Sequence, residues 1–577
     1  MKIFSFLSNQ PDNVLTRALA EGKRPMAWAA AFSFFSNVLY LALPLYTYQI
    51  YGRVMISQSQ PTLWVLTVIT IFVFAVSSAI DDVRARILIS YGVLLDQRVS
   101  GQVFTALFDD SVRGGTARAQ AMRDLDQFRQ TLTGIAAAAF FDVPWIPVFL
   151  FVLFLIDPMV GLVTLVGALA LLALALWQEK EIRPVSKEAS DAQLRSYAFT
   201  DAALRNGEVV RAMGMLPTLG GAWAGHRQVS IESGALAAEK SNLFTNVIKA
   251  VRMAIQVLTI AVGAYLILKG QIHQGLLFAN MILAARALQP IEKIVGSWEP
   301  LNNMARAHAR LMQLLSKAEP KPVATALPRP KGKLTVEGIN FAPQGAAKLL
   351  LANINFGLEP GETLGVIGPS GAGKSTLARL LVGIWRPNNG VVRLDGADVF
   401  GWDRADFGRY VGYLPQDTEL FAGTIRNNIA RFRSGVSDED VVRAAQLAGV
   451  HELILRMPKG YETEVGEGGV TLSAGQRQRV GLARTMLGDP AFIVLDEPNA
   501  ALDAEGEEAL LSALDSMKAN GATVVIISHK PGIFRAADKM LVLRDGRVEL
   551  FGPRDQVMAR LMKPAEVPAV GAAGAAR

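Results

Sequence analysis

Long runs of apolar residues alternate with polar, basic segments through the first half of the chain. Six runs cover residues 25–48, 61–80, 134–156, 159–177, 251–268 and 275–290. A helix needs about 20 apolar residues to cross roughly 30 Å of hydrocarbon, and most of the runs approach that length. The last run is interrupted by Arg286. The pattern therefore predicts five membrane-spanning helices, and a sixth if the interrupted run also crosses.

Basic residues are concentrated in two of the connecting segments. Residues 81–133 carry seven arginines and residues 178–250 carry nine lysines and arginines, whereas residues 51–60 carry only Arg53. Because cytoplasmic loops of membrane proteins are enriched in Lys and Arg, we expect both long loops and both chain ends in the cytoplasm. An even count of six spans agrees with this assignment. Helical periodicity at 94–108 and 189–213 predicts that the loops are helical extensions.

Two ionisable residues, Asp142 and Arg286, lie inside predicted spans, where a charged group is costly and usually faces a cavity or a partner. Either could line a substrate path, or it could lie near a span end, reach the interface or pair with another charge structurally. Pro144 and Pro147 remove backbone donors from the third span and predict a kink. The first run is too long for a signal peptide and no cleavage site follows it, so we expect it to remain as a helix.

A proline-rich segment, 316–333, separates the apolar half from the rest of the chain and predicts an extended linker. The predicted order is a cytoplasmic segment 1–24, a membrane α-helical domain 25–315 with six helices, the linker, a second domain 334–562 and a disordered tail 563–577. In the second domain, short apolar runs at 363–367, 492–495 and 523–527 alternate with amphipathic stretches. Such runs are typical of parallel strands buried on both faces, so an α/β fold is predicted.

Composition agrees with this division and excludes several classes of protein. The 577 residues exceed one ordinary core, only 19% are charged, and the mean hydropathy is +0.28, which favours a membrane protein. The net charge of +7 is not gathered into a basic stripe or tail, which argues against nucleic-acid binding. The absence of cysteine excludes disulfides, iron–sulfur clusters and thiolate zinc sites, and the five histidines show no metal-ligand spacing.

The strongest chemical motif directly follows the predicted strand 363–367. It fits the pattern G-x-x-x-x-G-K-[ST] between a strand and a helix, and its residues are Gly368, Pro369, Ser370, Gly371, Ala372, Gly373, Lys374, Ser375 and Thr376. In this setting backbone N–H groups surround phosphate oxygens, Lys374 reaches the terminal phosphates, and the Ser375 hydroxyl can bind Mg²⁺. The motif predicts a P-loop NTPase domain, with ATP and Mg²⁺ as the bound groups.

An acidic pair, Asp496 and Glu497, ends the predicted strand 492–495. Ligands of open parallel sheets bind at the carboxyl ends of the strands, so the position suits catalysis. Asp496 is a candidate Mg²⁺ ligand, and Glu497 is a candidate base that orients and deprotonates the attacking water. Taken alone, the pair could equally be a solvated end of a strand. Its place after a P-loop favours the catalytic interpretation.

The pentapeptide Leu472-Ser473-Ala474-Gly475-Gln476 precedes an apolar helical run. Ser473 and Gln476 could form a capping box, and a capped helix N-terminus is also suited to a γ-phosphate. Together with the P-loop and the acidic pair, the pentapeptide resembles the signature of ABC transporters. In that family each ATP lies between the P-loop of one subunit and the signature of the other. The resemblance therefore implies a homodimer in which Ser473, Gly475 and Gln476 contact nucleotide.

Four further residues are similar to those of named loops in the same family. Gln416 in Tyr-Leu-Pro-Gln-Asp is similar to the Q-loop residue, which implies a role in catalysis and Mg²⁺ binding. His529 is similar to the catalytic H-loop histidine, and Asp503 in Ala-Leu-Asp is similar to the D-loop residue near nucleotide. Glu467 resembles part of the X-loop of exporters.

The sequence departs from the family pattern at two positions. The signature has Ala474 where a second glycine is usual, a small change that should leave the phosphate contact intact but could slow closure. The usual adenine-stacking tyrosine is absent from residues 340–343, and Phe341 is the candidate replacement.

The membrane half resembles type I secretion ATPases at residues 44–54, 141–147, 286–292 and 296–298. Together with the resemblance of the ATPase half, it covers nearly the whole chain and implies a bacterial inner-membrane protein with a cytoplasmic nucleotide-binding domain. It implies ATP-driven export, by alternating access, of an unfolded polypeptide with a C-terminal signal through a periplasmic adaptor and an outer-membrane channel. About 25 residues precede the first span, so we expect no N-terminal peptidase domain, as in the protease-exporting and S-layer-exporting branch.

The same residues bear on three other functions. A lipid or drug flippase would share the architecture but would need no adaptor and would respond to small amphiphiles. A module that binds ATP without turnover is disfavoured because Glu497 and His529 have no use in a site that only binds. An importer subunit is disfavoured because importers typically keep the membrane and ATPase parts on separate chains.

Overall fold

The structure is a computed structural model. It describes residues 13–112, 120–317, 327–343, 346 and 348–562, apart from the side chains of Ile135 and Glu467. The described chain divides into two compact units, an all-helical unit that ends before residue 318 and a second unit of residues 327–562. Most of the predicted linker, 318–326, and the whole predicted tail, 563–577, lie outside the described residues.

The first unit consists of helices that differ greatly in length. They are α1 (Val14–Glu21), α2 (Lys23–Leu39), α3 (Ala42–Gln49), α4 (Met55–Ser57), α5 (Gln60–Val112), α6 (Gln120–Thr133), α7 (Ile135–Asp142), α8 (Ile146–Ile156), α9 (Pro158–Arg205), α10 (Gly207–Ala212), α11 (Leu216–Leu268), α12 (Gln274–Gly296) and α13 (Trp298–Lys317). A π-helical turn, Ile50–Val54, joins α3 to α4, and a 3-10 turn, Val143–Trp145, joins α7 to α8.

Five helical stretches in the described part of the chain are long and apolar enough to cross a membrane. They are Val14–Ser57, Gln60–Val112, Gln120–Ile156, Pro158–Arg205 and Leu216–Leu268. The sixth predicted span lies in α12, which is helical over 23 residues and thus about 34 Å long. Asn280, Arg286 and Gln289 lower its hydropathy, and its 23 residues are fewer than the 37 to 53 of the other five stretches.

The long loops are helical, as their periodicity predicts. Helix α5 continues past the second apolar run and includes residues 94–108, and α9 continues to Arg205 before a break at Asn206. The third span is interrupted where the prolines predict a kink, because a 3-10 turn that contains Pro144 lies just before Pro147. Proline cannot donate to the helical ladder, so the backbone tightens there instead of continuing as one α-helix.

A hydrophobic cluster holds together α1, α5, α6 and α13. Phe128, Leu125 and Leu311 are almost fully buried within it. Beside the cluster, Arg310 donates two hydrogen bonds of 2.7 Å to Asp124, which is only 3% exposed. This pair joins α6 to α13, and it raises the pKa of Arg310 through the hydrogen bond with Asp124.

The described residues of the second unit form three sheets and eight α-helices. The strands are β1 (Leu334–Phe341), β2 (Leu351–Leu358), β3 (Thr363–Ile367), β4 (Asn389–Leu394), β5 (Ala397–Asp398), β6 (Val411–Leu414), β7 (Gly423–Thr424), β8 (Glu464–Val465), β9 (Phe492–Asp496), β10 (Thr523–Ile527), β11 (Lys539–Arg544) and β12 (Arg547–Pro553). The helices are α14 (Lys374–Leu381), α15 (Arg404–Tyr410), α16 (Ile425–Ile429), α17 (Asp438–Leu447), α18 (His451–Leu455), α19 (Ala474–Met486), α20 (Ala504–Ala519) and α21 (Arg554–Met562).

The central sheet has six strands in the order β12-β11-β3-β10-β9-β6. The three predicted strands, at 363–367, 492–495 and 523–527, are confirmed as β3, β9 and β10, and they are parallel to one another. All residues of β9 and β10 are buried, as expected for strands covered on both faces. Because β3, β10, β9 and β6 are parallel neighbours, the loops at their carboxyl ends meet at one edge of the sheet.

Candidate active site

The P-loop connects β3 to α14 and depends on its glycines for its shape. Gly373 has φ +98°, and a Cβ atom there would lie 2.7 Å from Leu351 Cδ2. A Cβ atom on Gly368 would collide with the carbonyl oxygen of Leu543. Glycine alone fits both positions, because it tolerates positive φ and close approach of the backbone. The loop therefore keeps its backbone N–H groups free of side chains at the start of α14.

The remaining P-loop residues divide between an exposed tip and a buried base. The side chain of Lys374 folds back over the loop, and its Nζ donates to the carbonyl oxygens of Gly368 at 2.8 Å and Pro369 at 3.0 Å. Burial lowers the pKa of Lys374, against the opposing influence of Glu497 and Asp496. At the tip, Ser370 and Gly371 are exposed, whereas Ala372 and Thr376 are buried at the base.

Asp496, the last residue of β9, fits the environment of a metal ligand. It is 2% exposed, and burial raises the pKa of its carboxyl group, against the opposing influence of the Ser375 hydroxyl. Among the residues that the structure describes, no hydrogen-bond partner lies within reach of Asp496 Oδ1. A buried carboxylate oxygen without a donor is costly unless a cation completes its surroundings. Asp496 and Ser375 are hard oxygen ligands of the kind that Mg²⁺ prefers, so the donor set fits this ion.

Glu497 lies between two other candidate catalytic residues. Its Oε2 accepts a hydrogen bond of 3.2 Å from Gln416 Nε2, and its Oε1 lies 3.3 Å from His529 Nε2. Gln416 follows β6 and His529 follows β10, the two neighbours of β9. Glu497 has φ +51°, an uncommon conformation for a residue with a side chain, and its N–H donates to the carbonyl oxygen of Ile527. The sheet topology thus brings the three predicted catalytic side chains together.

The signature pentapeptide begins α19 as a capping box. Ser473 Oγ accepts from the N–H of Gln476 at 3.2 Å, and Gln476 Oε1 accepts from the N–H of Ser473 at 2.9 Å. Ser473 and Ala474 are exposed, and a Cβ atom on Gly475 would lie 2.9 Å from the carbonyl oxygen of Ala501. Within the described residues of one chain, no hydrogen bond or ion pair joins this segment to the P-loop.

Asp503 and Phe341 have structural contacts that their predicted roles do not require. Asp503 caps α20 through the N–H of Gly506 and accepts a hydrogen bond of 2.7 Å from Arg479. Phe341 ends β1 within the core, where it is 8% exposed and its ring stacks on Trp385 with centroids 5.3 Å apart. Burial and this stacking cover much of the ring that base recognition would need.

Sequence reasoning missed Gln478. This side chain is 4% exposed, its Nε2 donates to the carbonyl oxygen of Glu497 at 3.0 Å, and its Oε1 accepts from the N–H of Ala501 at 3.0 Å. One residue of α19 therefore holds both Glu497 and the segment before Asp503. The sequence could have indicated its burial, because Gln478 lies one helical turn before Leu482 on the buried face of α19, and a buried amide needs partners. It could not have identified those partners.

Comparisons with known proteins agree with this architecture. Residues 26–290 match the family described as "ABC transporter transmembrane region", and residues 351–500 match the family described as "ABC transporter". A solved structure, that of a bacterial Atm1-family ABC exporter with ATP bound, has a TM-score of 0.82 and 23% sequence identity. The similarity covers 97% of this chain and 100% of that one, and at this identity it shows the fold alone.

Curated relatives narrow the family further. The type I secretion system ATP-binding protein PrsD of Rhizobium meliloti is 40% identical over 92% of both chains. The toxin RTX-I translocation ATP-binding protein of Actinobacillus pleuropneumoniae and the alpha-hemolysin translocation ATP-binding protein HlyB of Escherichia coli are each 28% identical, over 91% of this chain and 75% of theirs. The chain is therefore an ABC transporter of the type I secretion family, a multi-pass protein of the bacterial inner membrane whose ATPase domain drives export.

Proposed function

We propose that the exported substrate is an unfolded polypeptide with an uncleaved C-terminal secretion signal. The observation that carries this proposal is the 40% identity to a type I secretion ATP-binding protein, which extends over 92% of the chain and so includes the membrane half. ATPase motifs are shared by all ABC proteins, whereas the membrane half contacts the substrate. Several more distant relatives are named for the translocation of protein toxins, which supports a polypeptide substrate.

The proposed chemistry is attack of water on the γ-phosphorus of ATP, with cleavage of the bond to the β–γ bridging oxygen. Glu497 accepts the proton of the water, and its contacts with Gln416 and His529 fix the direction of its carboxylate. Lys374 neutralises charge on the terminal phosphates. Asp496, Ser375 and Gln416 would hold Mg²⁺, which when bound neutralises charge that develops on the phosphate oxygens.

The working unit is proposed to be a homodimer. Ser473 is exposed at the capped start of α19, where Ser473, Gly475 and Gln476 present hydroxyl, backbone and amide donors. A γ-phosphate bound by the P-loop of a second copy would suit this helix terminus, because anions are stabilised there. A periplasmic adaptor and an outer-membrane channel are the proposed partners, and 25–315 and 334–562 are the proposed membrane and nucleotide-binding domains.

The test is the ATPase activity of the purified full-length chain in lipid nanodiscs. Peptides from the C-termini of candidate secreted proteins are added, and Lys374→Ala and Glu497→Gln serve as inactive controls. Loss of a general base typically lowers turnover about 10²–10⁴-fold, so Glu497→Gln should be nearly inactive. Lys374→Ala should be nearly inactive too, because the terminal phosphates lose their cation. Activity that responds to one C-terminal peptide, and not to small amphiphiles, supports polypeptide export. Activity that responds only to amphiphiles would replace the proposal with a flippase.

A further inference from the structure

Five charged side chains meet between the helices of the first unit. Asp81 and Arg84 come from α5, Asp142 ends α7, and Arg286 and Lys293 lie on α12. Together they line a small cavity of about 40 Å³. We call these five residues the polar centre. Three cations and two carboxylates leave it with one excess positive charge.

Both carboxylates of the polar centre are well supplied with donors. Asp142 lies 3.4 Å from Arg84 and 3.3 Å from Lys293, and it accepts further hydrogen bonds from Ser33 and Asn37. Asp81 lies 3.2 Å from Arg84 and accepts hydrogen bonds of 2.9 Å from the hydroxyls of Ser36 and Tyr40. Neither carboxylate therefore needs a further cation.

Arg286 is the cation of the polar centre that pairs with neither of its carboxylates. Its guanidinium lies 3.6 Å from the ring centroid of Tyr40, and its Nη1 donates to Gln289 Oε1 at 3.1 Å. Throughout the described part of the chain, no carboxylate oxygen comes within 4.0 Å of the Arg286 guanidinium. A ring face and one amide oxygen leave most of its five N–H donors unused. A guanidinium in an apolar layer usually faces a partner or a functional cavity.

The position of the polar centre suits a group that arrives from the cytoplasm. Asp81 directly follows the predicted span 61–80, and Lys293 follows the predicted span 275–290. Both spans end at segments that the distribution of basic residues assigns to the cytoplasmic side. Helix α12 packs against α3, α8, α9 and α11, so the cavity lies among helices rather than on a face open to lipid.

We propose that the polar centre binds a carboxylate group of the transported polypeptide, with Arg286 as the principal donor. A planar guanidinium matches the two oxygens of a carboxylate, and one carboxylate neutralises the excess charge. A phosphodiester headgroup with its two attached chains is a poorer fit to a cavity of about 40 Å³ enclosed by helices. The inference rests on the proposed export of a polypeptide and extends it to a residue that recognises the substrate.

The main test compares two peptides on the full-length transporter in nanodiscs of neutral lipid. Both comprise the last 20 or so residues of the secreted protein that stimulates the ATPase. One has its natural acidic residues and a free C-terminus, and the other has Asn or Gln at those positions and a terminal amide. A hydrogen-bonded charge pair contributes enough to shift half-maximal stimulation about 10-fold in favour of the acidic peptide. Arg286→Gln should abolish this preference, and Arg286→Lys should keep part of it.

Lys269→Gln is the matched control. The Lys269 ammonium also lies over a tyrosine ring, 4.6 Å from the centroid of Tyr265, but it is exposed at the end of α11. Its removal should leave the preference for the acidic peptide unchanged. A preference that persists in Arg286→Gln, or that disappears equally in Lys269→Gln, overturns the proposal. A preference that disappears when phosphatidylglycerol is added to the nanodiscs assigns the site to lipid phosphate, which also overturns it.

A second measurement tests the site without any peptide. The chain has no cysteine, so Gln289→Cys introduces a single thiol beside Arg286. A negatively charged methanethiosulfonate should modify it several-fold faster than a positively charged one, and Arg286→Gln should remove that difference. If the charge preference is absent from Gln289→Cys, the anion site is refuted whatever the peptides do. If the charge preference is present but no peptide stimulates the ATPase, the proposed export of a polypeptide is refuted instead. The anion site then stands, but its ligand is not a peptide carboxylate.

Discussion

Replacement of Gln478 by Met tests whether α19 holds Glu497, the proposed general base, in place. Methionine has a similar length and suits a buried position, but it can neither donate to the carbonyl oxygen of Glu497 nor accept from the N–H of Ala501. The packing of α19 should therefore be preserved while both hydrogen bonds are lost. Glu497 has φ +51°, a conformation that persists only where the surroundings enforce it.

The size of the effect follows from the two bonds. Each contributes about 1 kcal/mol net, so the substitution should favour displaced arrangements of the Glu497 segment by about 2 kcal/mol. At about 1.4 kcal/mol per factor of ten, the competent arrangement becomes about 30-fold less favoured relative to the displaced ones. Turnover should fall by roughly 10-fold or more. The P-loop is not touched, so the KM for ATP should change by less than about threefold.

The assay is steady-state ATP hydrolysis by the full-length chain in nanodiscs, with thermal unfolding measured on the same samples. Gln446→Met is the matched control, because Gln446 is exposed on α17. It should leave both turnover and unfolding unchanged. Wild-type turnover in Gln478→Met would refute the reasoning and would show that Gln416, His529 and the N–H bond to Ile527 suffice to hold Glu497.

Three further predictions concern stability, pH and the P-loop. Arg310→Met leaves the carboxylate of Asp124 buried without its cation. It should lower the free energy of unfolding by about 1–3 kcal/mol, an estimate that allows for the half-exposed Arg310. Arg86→Met, which removes an exposed pair, is the control and should leave the melting temperature unchanged. Burial raises the pKa of Asp496, so protons compete with Mg²⁺ for this carboxylate at a higher pH than they would for an exposed one. The apparent Mg²⁺ affinity at saturating ATP should therefore fall as the pH is lowered, and Asp496→Asn should weaken both the affinity and its pH dependence. Stability without Mg²⁺ should change in the opposite direction and rise as the pH falls, since the folded state carries the penalty of a buried charge at high pH and is relieved of it at low pH. Gly368→Ala places a Cβ atom against the carbonyl oxygen of Leu543 in the neighbouring strand β11. It should abolish ATP binding, as measured in an equilibrium binding assay. Retained binding would contradict the need for glycine at this position.

Much of the second unit could be predicted because its signals are local. Strands β3 and β10 have the bounds that their apolar runs predict, since a strand buried on both faces must be apolar throughout. Parallel strands then bring their carboxyl ends to one edge, so Gln416, Glu497 and His529 meet although they are far apart in sequence. The capping box of Ser473 and Gln476 is equally local and is confirmed.

Contacts that depend on the packing of distant elements could not be predicted in the same way. Gln478 is one polar residue among many until α19 is placed against β9, and only then do its two partners become visible. The sequence made Phe341 the candidate for stacking on adenine. In the structure β1 is buried, and the ring of Phe341 stacks on Trp385 instead. Periodicity gives the face of an element that is buried, and it does not give the partner on the other side.

The two intramembrane charges show how far such partners change an interpretation. The sequence left Asp142 and Arg286 with the same alternatives, a structural pairing or a substrate path. Asp142 is paired, with two cations and two further donors around its oxygens, so its burial needs no ligand. Arg286 is not paired with Asp142, because Arg84 and Lys293 already occupy that carboxylate. The contacts of the polar centre therefore account for the burial of Asp142 and leave Arg286 available to bind an anion. Substitution of Arg286 alone should weaken anion binding and leave folding unchanged.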